Sequence, residues 1–397
     1  GGGIYNRNHL VLENATIDSN LSYPDHGGGL WNNGTTTLQN STVSGNEAEG
    51  DGAGIFNTGS LSLMNTTILG NLADDDGGGV KNFASLLVTG STFSVNSGYF
   101  GGAIHNEGTL ILESSVLNNN VGDQGGAIQN SGNADSLMMD SCTLSNNFAQ
   151  NGGAIENFGP LVIKNSTISG NEAIFSGGGI SNEFDTLILA NSTINGNEAD
   201  GGGGVFNGSL SGLDVDLEIV NSTISGNSAD NNGGGILTLG ITGATTLTIS
   251  NSTITENYAD SGGGLNSSSS QTILHNTIVA SNTASAGPDG SGNIDASSSY
   301  NLVGDGSDFG VPTGNNNLIG LNARLDTLAD NGGPTQTHAL LCSSPAIDAA
   351  DPSVTSNDQR DSSYSTDDGI SGPLNARKLI LPHPQQSVRI RPFIWMD

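Results

Sequence analysis

One phrase is written eleven times along these 397 residues. It reads Gly-Gly-Gly/Ala-aliphatic-X-Asn, then a short alternating strand, then Asn-Ser-Thr-aliphatic-X-X-Asn. The aliphatic residue after the glycines falls at Ile4, Leu30, Ile55, Val80, Ile104, Ile128, Ile155, Ile180, Val205, Ile236 and Leu265, at intervals of 24 to 31 residues. A fixed period of this size is the signature of a solenoid. The unit is too short for a βαβ pair or a propeller blade, and Gly and β-formers dominate it. It fits one coil of an all-β, single-stranded parallel β-helix of about eleven coils. The usual chirality of parallel crossovers makes that helix right-handed.

Each column of the repeat has a physical reading. The closing Asn recurs as Asn20, Asn46, Asn71, Asn96, Asn120, Asn147, Asn171, Asn197, Asn227, Asn257 and Asn282. Three residues before each stands an aliphatic or Phe, from Ile17 and Val43 to Ile254 and Val279. Period-2 pairs such as Leu61/Leu63, Leu110/Leu112 and Leu161/Ile163 mark a strand with one buried face. Stacking coils about 4.8 Å apart turns such columns into ladders, and eleven coils into a rod of roughly 50 Å. An inward Asn at a bend satisfies backbone groups that a tight corner would leave unpaired. The Asn ladder is therefore expected to be structural. A second ladder, from Asn6 and Asn32 to Asn182 and Asn207, is read in the same way. The glycosylation sequons at Asn40, Asn165 and Asn251 follow from the repeat itself.

The formal net charge is −30, from 39 acidic and 9 basic residues. This argues against nucleic acid and against anionic membrane surfaces as partners. It suits a solvated, secreted surface, or one that holds divalent cations. No apolar run reaches transmembrane length. The sequence begins inside a repeat with no signal peptide in view, as expected of a processed chain or a fragment. The two cysteines, Cys142 and Cys342, are expected to lie roughly 30 Å or more apart along the rod, too far for a disulfide.

Two resemblances enter here. The Gly-Gly-Ala-Ile tetrads at 101–104, 125–128 and 152–155, with Phe-Ser-Val-Asn at 93–96, resemble the repeats of polymorphic outer membrane proteins, which are β-helical surface adhesins. Residues 301–350 are more specific. They contain Asn-Leu-Val-Gly (301–304), Asn-Leu-Ile-Gly (317–320), Leu-Ala-Asp-Asn-Gly-Gly-Pro-Thr-Gln-Thr-His-Ala-Leu (328–340) and Ser-Pro-Ala-Ile-Asp-Ala-Ala (344–350). This resembles the choice-of-anchor β-helix proteins of bacteria. The resemblance implies an exported surface or extracellular β-helix and no assigned activity. The chain departs from that family after Asp-Gln-Arg (358–360), where an unrelated tail follows.

Polysaccharide lyases on β-helices need a Lys or Arg base beside clustered carboxylates, usually with Ca2+. Up to residue 323 only Arg7, Lys81 and Lys164 are basic, so no catalytic residue is assigned. The residue between the aliphatic and the Asn of each coil is expected to point outward. Along the rod this column reads Tyr5, Trp31, Phe56, Lys81, His105, Gln129, Glu156, Ser181 and Phe206. It is a glycan groove, with aromatic faces and hydrogen-bonding groups through Glu156, or a surface ladder gaining about 0.2–1 kcal/mol per stacked pair, or a stripe covered by the tail. Acidic residues recur before the glycines, including Asp74, Asp75, Asp76, Asp200, Asp230 and Asp260. They form an acidic solubilising edge, or corners at which successive coils share Ca2+. No other cofactor is implied.

Three regions follow: coils over 1–283, a choice-of-anchor-like region over 284–360, and a basic, apolar tail over 361–397. The tail carries Arg377, Lys378, Arg389, Arg391, Phe393 and Trp395. Such a segment is expected to dock on its own acidic rod or on that of a second copy. The reading is an exported structural or adhesive rod without catalysis. The alternatives are a filament subunit joined through the tail, and a glycan-binding or glycan-degrading protein.

Overall fold

Each coil turns where its residues tolerate the left-handed backbone. From Gly27 onward the first glycine of each triplet has positive φ, as at Gly77 (64°), and a Cβ on the next, Gly78, would collide with the Ser97 carbonyl. The opposite corner is made by the first Asn of Asn-Ser-Thr, with φ of 47° at Asn40 and 48° at Asn65. Asn accepts this region more readily than other side-chain-bearing residues. Between such corners lie short extended segments, which stack with their equivalents in adjacent coils.

The computed structural model describes residues 2–209, 214–240, 245–268, 271–354 and 358–360. All regular structure among them is β, with no helix. Four parallel sheets run the length of the rod, named A to D in the order a coil meets them. In the first coil they hold Ile4–Asn6, His9–Glu13, Thr16–Asp18 and Leu21–Ser22. Sheets A and C have 13 strands each, and B and D have 11. Register is strict: Leu30 pairs with Ile55, and Ile55 with Val80. The additional strands of A and C, ending at Phe309–Gly310 and Leu318–Ile319, carry the rod beyond residue 283 as shorter turns. The extra residues of the coil from Ile128 to Ile155 are absorbed in a turn where Ala134 N donates to Ser131 O at 2.9 Å.

The core is one apolar stack inside the sheets, including Leu61, Val80, Phe93, Leu110 and Ile163, each at most 1% exposed. Burying one such side chain contributes about 1.5–3 kcal/mol. Three polar ladders share this interior, one of them running from Asn6 to Asn207 through side-chain amides, as where Asn32 Nδ2 donates to Asn57 Oδ1 at 2.8 Å. Asn46 Nδ2 donates to Asn71 Oδ1 at 2.9 Å and to the Ile17 carbonyl at 3.1 Å, while Asn46 N donates to Asn71 Oδ1 at 3.1 Å. The same set recurs coil by coil to Asn282. A hydroxyl ladder from Ser41 to Thr277 lines the next corner, and Cys142 occupies one of its places. Cys142 N donates to Ser166 Oγ at 3.0 Å, and burial pushes the Cys142 thiol up to about 11. Both cysteines are free.

After the coils the chain folds back. An antiparallel hairpin, Leu325–Ala329 with Thr337–Leu340, leads a segment that lies on the outer face of sheet C. Ala323, Leu340, Ala346 and Ala350 form a second core there with Ile278, Ala280 and Leu302.

Candidate functional site

The column on the outer face of sheet A is not open to solvent as its outward direction implies. It faces away from the rod's core, but Tyr5 is exposed and Trp31 half-buried only at its first end. Phe56, Lys81, His105, Gln129 and Glu156 are all buried. The physical reason is a pair of walls. One consists of the residues just before the glycines: His26, Asp51, Asp76, Phe100, Gln124, Asn151 and Ser176. Of these, His26 meets Phe56, Asp76 meets Lys81 and His105, Phe100 meets His105, Gln124 meets Glu156 and Ser176 meets Ser181. The other wall follows the inner Asn of each coil and includes Phe83, Glu107, Phe158 and Glu183. The column is thus the floor of a filled trough, a second interior outside the first.

Its first end is aromatic. Trp31 meets Tyr5 and Phe56 edge-on at centroid distances of 5.4 and 5.1 Å. The His26 ring stacks on Phe56 at 4.7 Å, and Phe83 closes on Phe56 at 5.5 Å. The centre is charged. Lys81 Nζ, on a side chain 2% exposed, donates to Asp76 Oδ2 at 3.0 Å and to Glu107 Oε1 at 2.6 Å. It lies 4.7 Å from the Phe83 centroid. His105 Nδ1 stands 2.7 Å from Lys81 Nζ and 2.9 Å from Asp76 Oδ2. A proton on Nδ1 and one from Nζ cannot both occupy that contact, so Nδ1 either accepts from Nζ or donates to Asp76. Burial opposes ionisation of Asp76, but the His105 hydrogen bond, with the His105 and Lys81 charges, outweighs it and holds the carboxyl below its ordinary value. Burial raises Asp51.

The far end is acidic and amide-rich. Glu156 is 1% exposed, and burial, reinforced by Glu183, pushes its carboxyl up to about 9. Burial raises Glu183 as well. The Gln124 amide lies against the Glu156 carboxyl. Its nitrogen donates to Glu156 Oε2 at 2.8 Å. Ser181 Oγ donates to Glu183 Oε1 at 3.4 Å.

The acidic corners are dispersed. Asp74, Asp75, Asp200, Asp230 and Asp260 are exposed, and Asp76 turns into the trough. Asp200 accepts from Asn231 Nδ2 at 2.5 Å. Among the described residues no three His, Cys, Asp or Glu side chains converge on a metal position. Arg377, Lys378, Arg389, Arg391, Phe393 and Trp395 lie outside the described residues.

An open cleft of about 630 Å³ lies beside the far half of the trough, lined by Gly132, Asn133, Phe158, Phe184, Asp185, Thr186, Asp214 and Asp216. The Phe158 and Phe184 rings meet at 5.2 Å, and Asp216 Oδ1 accepts from Thr246 Oγ1 at 2.5 Å. The sequence reading did not find this cleft, because its aromatics come from corner residues of neighbouring coils.

A second feature missed in the sequence is what the 328–340 and 358–360 segments do. Gln359 Nε2 donates to Thr193 Oγ1 at 3.0 Å and to Thr335 Oγ1 at 2.8 Å, and Gln359 Oε1 accepts from Thr223 Oγ1 at 2.7 Å. Thr193 Oγ1 donates to the Gln336 carbonyl at 2.6 Å. His338 Nδ1 donates to the Asp326 carbonyl at 2.6 Å, which leaves Nε2 to accept the Ser225 hydroxyl at 2.7 Å. One signal was present. The outward positions of sheet C are Thr and Ser in most coils but become Ile278 and Ala280 in the eleventh, where a cover is needed.

Fold and trough together define a parallel β-solenoid with a polar secondary interior. No helix among the described residues is long and apolar enough to cross a membrane. Compared with family models, curated proteins and solved structures, the chain matches none of them.

Proposed function

We infer that this chain is an exported, extracellular or cell-surface rod with a structural and adhesive role and no catalysis. The observation that carries the reading is the filled trough. Lys81, His105 and Glu156, the titratable groups of the trough floor beyond its aromatic end, are 2%, 4% and 1% exposed and engage one another or the walls. A general acid or base must come within about 3 Å of a substrate atom, directly or through one water, and these groups face protein instead. What remains accessible is an acidic surface on a stiff stack of coils, suited to spacing and display.

The cleft beside Phe158 and Phe184 favours one form of adhesion, glycan contact. The two rings offer apolar faces, and Asp185, Thr186 and Asp216 offer hydroxyl-binding oxygens. A panel of neutral and uronate polysaccharides tests both halves of the reading. No new reducing ends or unsaturated products are expected, and the release of either overturns the non-catalytic assignment. On a glycan array the chain is expected to bind, and Phe158→Ala with Phe184→Ala to remove the binding. Binding untouched by that pair moves adhesion away from the cleft, and silence across arrays and coated cells overturns adhesion.

A further inference from the structure

Three coils beyond Lys81, the equivalent positions carry no basic side chain. Register runs from Lys81 through His105 and Gln129 to Glu156, so Glu156 holds the floor position of Lys81. Glu183 follows Asn182 as Glu107 follows Asn106, so it holds the same place in the wall. Between the fourth and fifth coils, Lys81 Nζ neutralises two carboxylates, one from each wall. Between the seventh and eighth coils two carboxyls stand together, and among the described residues no ion pair joins either to a basic side chain. An unpaired buried charge is costly enough that such groups are paired, metal-bound or neutralised.

A second, independent observation comes from the floor one coil before Glu156. Gln129 is 6% exposed, and its Oε1 has no hydrogen-bond partner. A buried acceptor left empty marks a missing donor or cation. The surrounding side chains bring further oxygens: the Ser181 hydroxyl at Glu183, and the Ser176 hydroxyl 3.3 Å from that of Ser181. Two carboxyls with amide and hydroxyl oxygens beside them suit a hard divalent ion, and two carboxylates balance its charge. We propose that Glu156 and Glu183, with the side-chain amide oxygen of Gln129, bind a divalent cation of the Ca2+ type, which ties the seventh and eighth coils as Lys81 ties the fourth and fifth. This site lies inside the trough and is separate from the exposed corner aspartates.

The test is calorimetric titration of CaCl2 into the chelator-stripped full chain, paired with thermal melts with and without Ca2+. The chain is expected to show one saturable site and a higher melting temperature with Ca2+. Glu156→Gln and Glu183→Gln, both near-isosteric, are each expected to weaken binding at least about tenfold and to abolish the melting shift. Asp74→Asn with Asp75→Asn is expected to leave both intact. Absence of saturable binding at millimolar Ca2+ overturns the site, as does full binding in Glu156→Gln. Loss of binding in the corner variant alone places the ion outside the trough and also overturns it.

Discussion

Asn282, the last asparagine of its ladder, ends on the carboxylate of Asp289. Asp289 Oδ1 accepts Asn282 N and Asn282 Nδ2, both at 2.9 Å, and Oδ2 accepts Asp305 N at 2.6 Å. Each earlier asparagine donates forward and accepts from behind, so the final position must accept without donating. A carboxylate does this and an amide does not. Asp289→Asn is expected to set an amide nitrogen against Asp305 N–H and to cost about 1–3 kcal/mol. Hydrogen exchange should quicken at Asn282 and Asp305 with the first coils unchanged; unaltered protection there refutes the capping role.

Within the ladder, Asn171 donates to Asn197 Oδ1 at 2.9 Å and to the Leu144 carbonyl at 3.1 Å. Asn171→Ala leaves buried partners unmet and is expected to destabilise by about 1–3 kcal/mol. Ser169→Ala, two residues earlier on the outer face, should change stability by less than about 0.5 kcal/mol. Equal denaturation midpoints for the two variants contradict the ladder's structural role.

Lys81 is the only cation bridging both walls among the described residues. Lys81→Met keeps the length and removes the charge, stranding Asp76 and Glu107. The expected loss is about 3–5 kcal/mol, as for a buried pair with one partner deleted. Exposed Lys164→Met is the control and should be near neutral. Urea unfolding of the two variants decides the point.

With chelator present, stability should fall as pH rises because of Glu156. Its carboxyl ionises near the ordinary 4.5 when unfolded and at about 9 when folded. The folded chain therefore binds more protons between these values. The contribution is fully present below about pH 4.5 and is lost as pH rises through about 9, at up to about 1.4 kcal/mol per unit. Glu156→Gln should flatten the slope measured from pH 5 to 9. An identical slope in the variant shows that Glu156 does not titrate as described.

Gln359 binds five backbone or hydroxyl groups of the rod and the returning segment at once. Gln359→Ala is expected to loosen the segment from sheet C without unfolding the coils. Limited proteolysis should then cut within 325–354 faster, leaving a resistant core over the coils. Unchanged cleavage rates mean the second core alone holds the segment.

The fold was legible because its signals repeat. A single coil with Gly at one corner, Asn at another and alternating aliphatics is ambiguous. Eleven in phase admit only stacking, since each coil has nothing but its neighbours against which to bury its faces. The Asn and aliphatic columns, the positive-φ corners and the parallel register all follow from that period.

The trough followed a different logic. Period-2 alternation tells which way Lys81 and Glu156 point relative to the core, and they do face away from it. It does not tell what stands in front of them. That depends on Asp76 and Glu107 reaching across from two corners, one five residues before Lys81 and one in the next coil, and on Gln124 reaching Glu156 from the preceding coil. Likewise His338 and Gln359 read as isolated polar residues until the chain's return along sheet C brings them to Ser225 and Thr193. The sequence by itself determined the coil, its columns and its stacking, because these rest on local backbone preference repeated at a fixed interval. Only the tertiary structure decided which outward side chains meet water. Burial there is a property of groups brought together across coils, and no interval along the chain encodes it.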